Sequence, residues 1–189
     1  MEHFYTNIQG WFTYPQLYKD AVNAYPSGST FVEVGTWKGT SAAFMAVEII
    51  NANKDIILDC IDLWTNEDSH LLNLVKDYAS NVNDKDWLYN TFLNNIASVK
   101  HIINPIRSYS DKAASLYGDS SVDFCFIDAA HDFNSVLKDL TAWYPKIKST
   151  GTFAGHDYHQ PDVRLAVNEF FKDKPGSIIE GEYCWKLIR

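Results

Sequence analysis

Apolar positions in this chain follow two rhythms that take turns from one end to the other. Leu17, Tyr18, Ala21, Val22 and Tyr25 recur at helical spacing from about Pro15, so residues 1–28 predict one helix behind an aromatic lead-in of Phe4, Tyr5, Trp11, Phe12 and Tyr14. Phe31, Val32 and Val34 then form a short continuous run between Ser27-Gly-Ser29 and Gly35, as expected of a strand covered on both faces. From about Thr40 to Asn53 apolar residues go nearly all the way round, which predicts a buried helix. A second strand at 56–61 stops at Asp62. Residues 65–99 show no alternation, and helices at roughly 69–79 and 84–97, with a polar hinge at 80–84, fit them best.

The second half repeats the pattern. A strand at 100–106 leads into a short helix from Ser110 to Tyr117, and the run Phe124-Cys-Phe-Ile127 reads as a central strand ending at Asp128. A helix opens near Phe133 with Asp132 as its cap, Lys148-Ser-Thr-Gly151 turns into a strand at 152–155, and a closing helix follows Pro161. The runs 177–179 and 183–188, joined near Gly181, complete the pattern as two terminal strands. Strands alternating with helices predict an α/β fold, Rossmann-like and doubly wound. We expect a mostly parallel seven-stranded sheet with one antiparallel C-terminal strand and helices on both faces. No linker or repeat interrupts residues 1–189, so a single domain is expected, with 1–28 as an aromatic, helical cap and 65–99 as a helical crossover or lid.

Composition narrows the partners. A formal charge of -8 without clustered Lys or Arg argues against a nucleic-acid partner. No apolar run approaches the roughly 20 residues that span a bilayer, and the amino terminus lacks the basic and apolar segments of a signal peptide, so a cytoplasmic protein without a membrane partner is expected. Cys60, Cys125 and Cys184 share no metal-like spacing and read as reduced core residues. The aromatic amino terminus suits a homodimer contact as well as a lid.

The most informative stretch is Phe31-Val-Glu-Val-Gly-Thr-Trp-Lys-Gly-Thr-Ser41, a strand running through a glycine turn into a helix. Glu33 is costly among apolar neighbours unless something pairs with it, and Gly35 and Gly39 permit a tight turn and close ligand approach. A dinucleotide fingerprint has a third glycine; the pattern here favours a cofactor without a pyrophosphate. Glu-x-Gly-x-x-x-Gly resembles the first motif of class I S-adenosylmethionine-dependent methyltransferases. That resemblance implies S-adenosylmethionine as cofactor, held by Glu33, Gly35, Thr36, Trp37, Gly39, Thr40 and Ser41. Asp62 with Leu63, at the next strand end, would meet the ribose; Ser110 and the segment 108–111 would lie near the adenine, and Asp128 would complete the site. An ordinary packing turn is the alternative for the glycines, and a cap for Asp62.

The later strand ends carry further polar groups: Asp128 with His131, then His156, Asp157, Tyr158 and His159. Two carboxylates on adjacent strand ends suit a hard divalent cation such as Mg2+, which makes a bound hydroxyl more acidic. Either His131 or His156 has the ordinary pKa for a general base at neutral pH. The ordered set Asp62, Ile-Asp-x-x-His-x-Phe and Gly-Thr-x-x-x-His-Asp-Tyr looks like the small-molecule O-methyltransferases, including the catechol type, over about residues 30–172. That likeness implies methyl transfer to a hydroxylated small molecule, with Mg2+ on Asp128 and Asp157. His131 stands where the catechol type has a lysine base, and Tyr158 where it has an asparagine ligand. Capping carboxylates, an iron or zinc site using His131, His156 and His159 with Asp128 and Asp157, a nicotinamide-dependent oxidoreductase and a cofactor-binding protein without turnover are the competing readings.

Overall fold

The computed structural model describes residues 1–65, 81, 83–181 and 183–188. Seven strands, β1 (Thr30–Val34), β2 (Ile57–Asp62), β3 (Ile103–Arg107), β4 (Val122–Ile127), β5 (Ile147–Gly155), β6 (Ser177–Glu180) and β7 (Trp185–Ile188), form one sheet in the order β3-β2-β1-β4-β5-β7-β6. β3, β2, β1, β4 and β5 pair in parallel, and β7 runs antiparallel to both of its neighbours, as the sequence pattern predicts. The order reverses between β1 and β4, and ligands of such sheets bind beyond the carboxyl ends at that point.

Burial explains why these two strands lie at the centre. Every residue of β4 is buried, and so are Phe31 to Val34 of β1. One sheet face presents Phe31, Leu58, Cys60, Phe124 and Phe126 to helices α1 (Pro15–Ala24), α2 (Thr40–Asn51) and α3 (Trp87–Asn95). The other presents Val32, Val34, Ile61, Cys125 and Ile127 to α4 (Ser110–Ala114), α5 (Phe133–Trp143) and α6 (Pro161–Phe171). Burying one such side chain is worth roughly 1.5–3 kcal/mol, so a strand apolar on both faces stabilises the fold only in the middle of the sheet. Local signals fix the helix starts: Pro15 and Pro161 occupy first-turn positions, and the Asp132 side chain accepts from the Ser135 amide at 3.0 Å.

Several boundaries differ from expectation. β5 begins at Ile147, not after Gly151, because Lys148-Ser-Thr-Gly151 is an irregular stretch of strand: Val122 pairs with Ile147, and Phe124 with Thr152. A side chain at Gly151 would lie 3.0 Å from the carbonyls of Val122 and Asp123, so the glycine marks close strand approach instead of a turn. Asp62 is the last residue of β2 and not one beyond it. β3 starts three residues late, behind a 3-10 turn at Ala97–Val99, and α4 stops at Ala114. The helix expected at 69–79 lies outside the described residues. The aromatic lead-in packs within the chain: His3, Tyr5 and Phe12 meet the Phe44 ring of α2 at 4.5, 5.1 and 4.9 Å.

Candidate active site

The turn from β1 to α2 crosses the switch point in contact with the end of β4. Gly35 has φ +84°, and a methyl group placed on it would lie 2.0 Å from the Asp128 carbonyl oxygen, so only glycine fits. Gly39, at φ +88°, caps α2 beside Phe92 and Ile96, which brings α3 down onto the turn. Trp37, Trp64 and Asp157 also take positive φ, 45°, 45° and 56°, at the carboxyl edge of the sheet. Such strain in bulky residues persists only where surroundings over-determine it, and it gathers at functional sites.

Asp62 is the buttress of the turn. Its Oδ2 accepts from the amides of Thr36 and Trp37 at 2.9 and 2.8 Å, and its Oδ1 from the Trp64 amide at 2.8 Å. Burial pushes its pKa up, against these amides. Glu33 is fully buried, with one oxygen bonded to the Ser41 hydroxyl and the other, near the Tyr18 hydroxyl, outside hydrogen-bond geometry. Burial, with added repulsion from Asp128, raises its pKa to about 8 despite the Ser41 bond, so it is mostly protonated at neutral pH. The Thr36 hydroxyl is buried and unpartnered. Two orphaned polar groups beside a strained glycine turn fit a polar ligand there.

Other residues expected around the cofactor have partners within the chain. Thr40 donates to the carbonyls of Ile8 and Gln9 at 3.4 and 3.2 Å, Trp37 stacks on Trp11 at 5.2 Å and its carbonyl accepts from Trp64 Nε1 at 2.9 Å. The Leu63 carbonyl accepts from Arg107 at 3.1 Å. Ser110 accepts from Trp143 Nε1 at 2.9 Å, which ties it to α5.

Beyond β4 and β5 the polar groups converge. Asp128, His131 and Asp157 each offer a donor atom, all within 4.8 Å of one another. His131 Nε2 lies 2.8 Å from Asp157 Oδ2, with the His131 side chain half-exposed at the rim. His156 is buried, its Nδ1 lying 3.5 Å from Asp128 Oδ1 and 3.2 Å from Asp157 Oδ2. Burial opposes a charge on this ring, yet the two carboxylates prevail and raise its pKa to about 9. Burial likewise resists ionisation of Asp157, but hydrogen bonds from His131, His156 and Gln160 more than offset it and hold its carboxyl well below the usual range. His159 stands at the margin, 3.9 Å from Asp157. Tyr158 is turned into the core, where its hydroxyl donates to Asn168 at 2.7 Å.

Two contributors carry no local motif. Thr13 Oγ1 is 2.9 Å from His156 Nε2, and the Tyr14 hydroxyl donates to Asp128 Oδ2 at 2.7 Å while its ring packs on Phe126 at 4.4 Å. The aromatic lead-in marks this segment as a candidate roof, but nothing in its spacing singles out the Thr13 hydroxyl. Lys38, buried against the rings of Trp37 and Trp87 and bonded to Gln9, is also absent from the expected set.

A family model described as a methyltransferase domain matches residues 32–158, from the first strand to the end of this rim. The chain belongs to that family. Its fold is that of the class I S-adenosylmethionine-dependent methyltransferases. The O-methyltransferase NovP superposes with a TM-score of 0.68 at 18% identity, over 93% of this chain and 78% of its own. A candidate rRNA methylase from Clostridium thermocellum gives 0.64 at 11% identity, over 96% and 100%. Fibrillarin from Aeropyrum pernix, with natively bound S-adenosyl-L-methionine, gives 0.57 at 11% identity, over 86% and 67%. At these identities the likeness is one of fold. No curated protein sequence matches the chain.

Proposed function

We propose that this methyltransferase moves a methyl group from S-adenosylmethionine to a hydroxyl of a small molecule, assisted by a divalent cation. The observation that carries the reading is the abutment of the two halves. The Gly35 turn presses on the main chain of Asp128, so whatever lies over the turn faces the rim of Asp128, His131 and Asp157.

S-adenosylmethionine supplies an electrophilic methyl group on a sulfonium when bound. Glu33, Thr36 and the turn at Gly35 would hold its amino-acid end, and Asp62, half-buried and reachable, its ribose; Leu63 and Ser110 would flank the base. Asp128 and Asp157 would hold a cation such as Mg2+, which lowers the pKa of a bound hydroxyl. His131 is the better proton acceptor of the two histidines. It is half-exposed, and Asp157 orients it at 2.8 Å, whereas both nitrogens of His156 face partners inside the protein. The remaining catalysis is proximity, with nucleophile, methyl carbon and sulfur held in line.

A small acceptor is favoured over RNA, although one structural neighbour is described as a candidate rRNA methylase, because a net charge of -8 repels a polyanion. Among the described residues no helix is long and apolar enough to cross a membrane, and the three cysteines are free, in keeping with a cytoplasmic setting. The test is production of S-adenosylhomocysteine from S-adenosylmethionine with a panel of catechols, phenols and sugars, with and without Mg2+, beside calorimetry of S-adenosylhomocysteine. Binding with turnover on a hydroxylated compound supports the reading; no binding would remove it, and turnover on RNA alone would move the acceptor to another class.

A further inference from the structure

The two carboxylates and His156 stand in an arrangement that goes beyond an oxygen-only cation site. Ligands at right angles around an ion about 2.1 Å away lie about 3 Å from each other. His156 Nδ1 approaches that spacing toward each carboxylate, 3.5 Å from Asp128 Oδ1 and 3.2 Å from Asp157 Oδ2, and the two carboxylates offer oxygens within 4.8 Å of each other. The outer contacts are those of a ligand set as well. A metal-binding histidine usually donates its second ring N–H to a fixed acceptor, which leaves the first nitrogen's lone pair for the ion. Thr13 Oγ1, 2.9 Å from Nε2, is placed to be that acceptor, and Tyr14 occupies Asp128 Oδ2 at 2.7 Å, which leaves Oδ1 on the His156 side. Tyr158, at the position where the resembling enzymes carry an asparagine ligand, bonds Asn168 instead, so the third donor has to come from elsewhere.

We propose that His156 is the third ligand, and that the site formed by Asp128, His156 and Asp157 takes a first-row transition ion such as Mn2+, Fe2+, Co2+ or Zn2+ in preference to Mg2+. The inference rests on the reading that this rim holds a cation for methyl transfer. Imidazole nitrogen suits the first-row ions, whereas Mg2+ favours oxygen and keeps its waters, so one nitrogen among three protein donors shifts selectivity without closing the site to acceptor oxygens. The ion displaces the Nδ1 proton as it binds. His131 stays outside the ligand set as the proton acceptor, and Thr13 and Tyr14 are positioning residues that act through His156 and Asp128.

The full chain, stripped of metal, is titrated by calorimetry with Co2+, Mn2+ or Mg2+ alone, and separately with S-adenosylhomocysteine. We expect Co2+ to bind about a hundredfold or more tighter than Mg2+, and Mn2+-loaded protein to show nitrogen coupling in pulsed electron paramagnetic resonance. His156→Asp should abolish the coupling and narrow the Co2+ to Mg2+ ratio to under about tenfold, with His156→Asn as the second variant should the aspartate fail to fold. Thr13→Val should weaken Co2+ binding about tenfold, and Thr13→Ser should restore it. Equal affinity for Co2+ and Mg2+, or coupling that survives His156→Asp and disappears in His131→Ala, overturns the proposal. So does a chain that binds no ion. A chain that binds S-adenosylhomocysteine without any ion loses this inference alone, while one that binds neither loses the methyl-transfer reading too.

Discussion

The two halves of the candidate site are built by different means. On the side of β1 and β2, main-chain amides and glycines do the work: Asp62 gathers three amides, and Gly35 lets the turn touch β4. On the side of β4 and β5, side chains from distant segments do it, with Thr13 and Tyr14 reaching His156 and Asp128 across more than a hundred residues. Backbone architecture tolerates few substitutions at its glycines and buttress, whereas a side-chain network loses its bonds one by one. The difference can be measured.

The largest effect should come from Gly35→Ala. A methyl group there meets the Asp128 carbonyl at 2.0 Å in a backbone conformation that L residues rarely adopt, so the turn must move. We expect a loss of more than about 2 kcal/mol in chemical denaturation and no measurable S-adenosylhomocysteine binding. Normal stability and binding would break the claim that the turn is fixed by its contact with β4. Asp62→Ala comes next. It leaves the amides of Thr36, Trp37 and Trp64 without their acceptor, which should cost about 1–3 kcal/mol and at least about tenfold in S-adenosylhomocysteine affinity.

This contrast also sets how much could be read from residue order. Gly35, Gly39, Asp62 and Asp128 were legible because strand ends and glycine turns have local signatures, and the strand runs 31–34 and 124–127 reveal the two central strands by being apolar on both faces. The roles within the rim were less legible. His131 and His156 both lie next to strand ends, and only the fold shows one half-exposed against Asp157 and the other buried between two carboxylates. Thr13 is invisible for the same reason: a hydroxyl in an aromatic lead-in acquires meaning only when α1 folds the segment onto the carboxyl edge. The start of β5 is hidden in the sequence because Ser-Thr-Gly resembles a turn, while the strand passes through it with altered register.

Tyr14→Phe sharpens the comparison from the other side. The ring keeps its packing on Phe126 and loses the bond to Asp128 and its contact with the Ser41 hydroxyl, so we expect about 1 kcal/mol of destabilisation and S-adenosylhomocysteine affinity within about twofold of the parent. A large loss of cofactor affinity would show that the two halves are not separable.

A slope with pH tests both halves without a substitution, and its sign follows from two groups, one in each half. Glu33 in the fold titrates at about 8 against an ordinary 4.5, so the native state binds more protons than the unfolded chain between those values and stability falls as pH rises through them. His156 is held up at about 9 against 6.5, so its contribution is complete below 6.5 and lost as pH rises through 9. Asp157 works in the opposite sense: its lowered pKa favours the fold above the ordinary carboxylate range, and that contribution is lost only on acidification, leaving it constant at neutral pH. The melting temperature of the metal-free protein should therefore decline between pH 6.5 and 9, by about 2–4 °C for each kcal/mol lost in a domain of this size. Glu33→Gln should make the decline shallower below pH 8 and leave the part above it, while His156→Asn should make it shallower over the whole span from 6.5 to 9. A wild-type profile flat across this range would mean that Glu33 is ionised and His156 neutral, and the electrostatic division between the two halves would have to be redrawn.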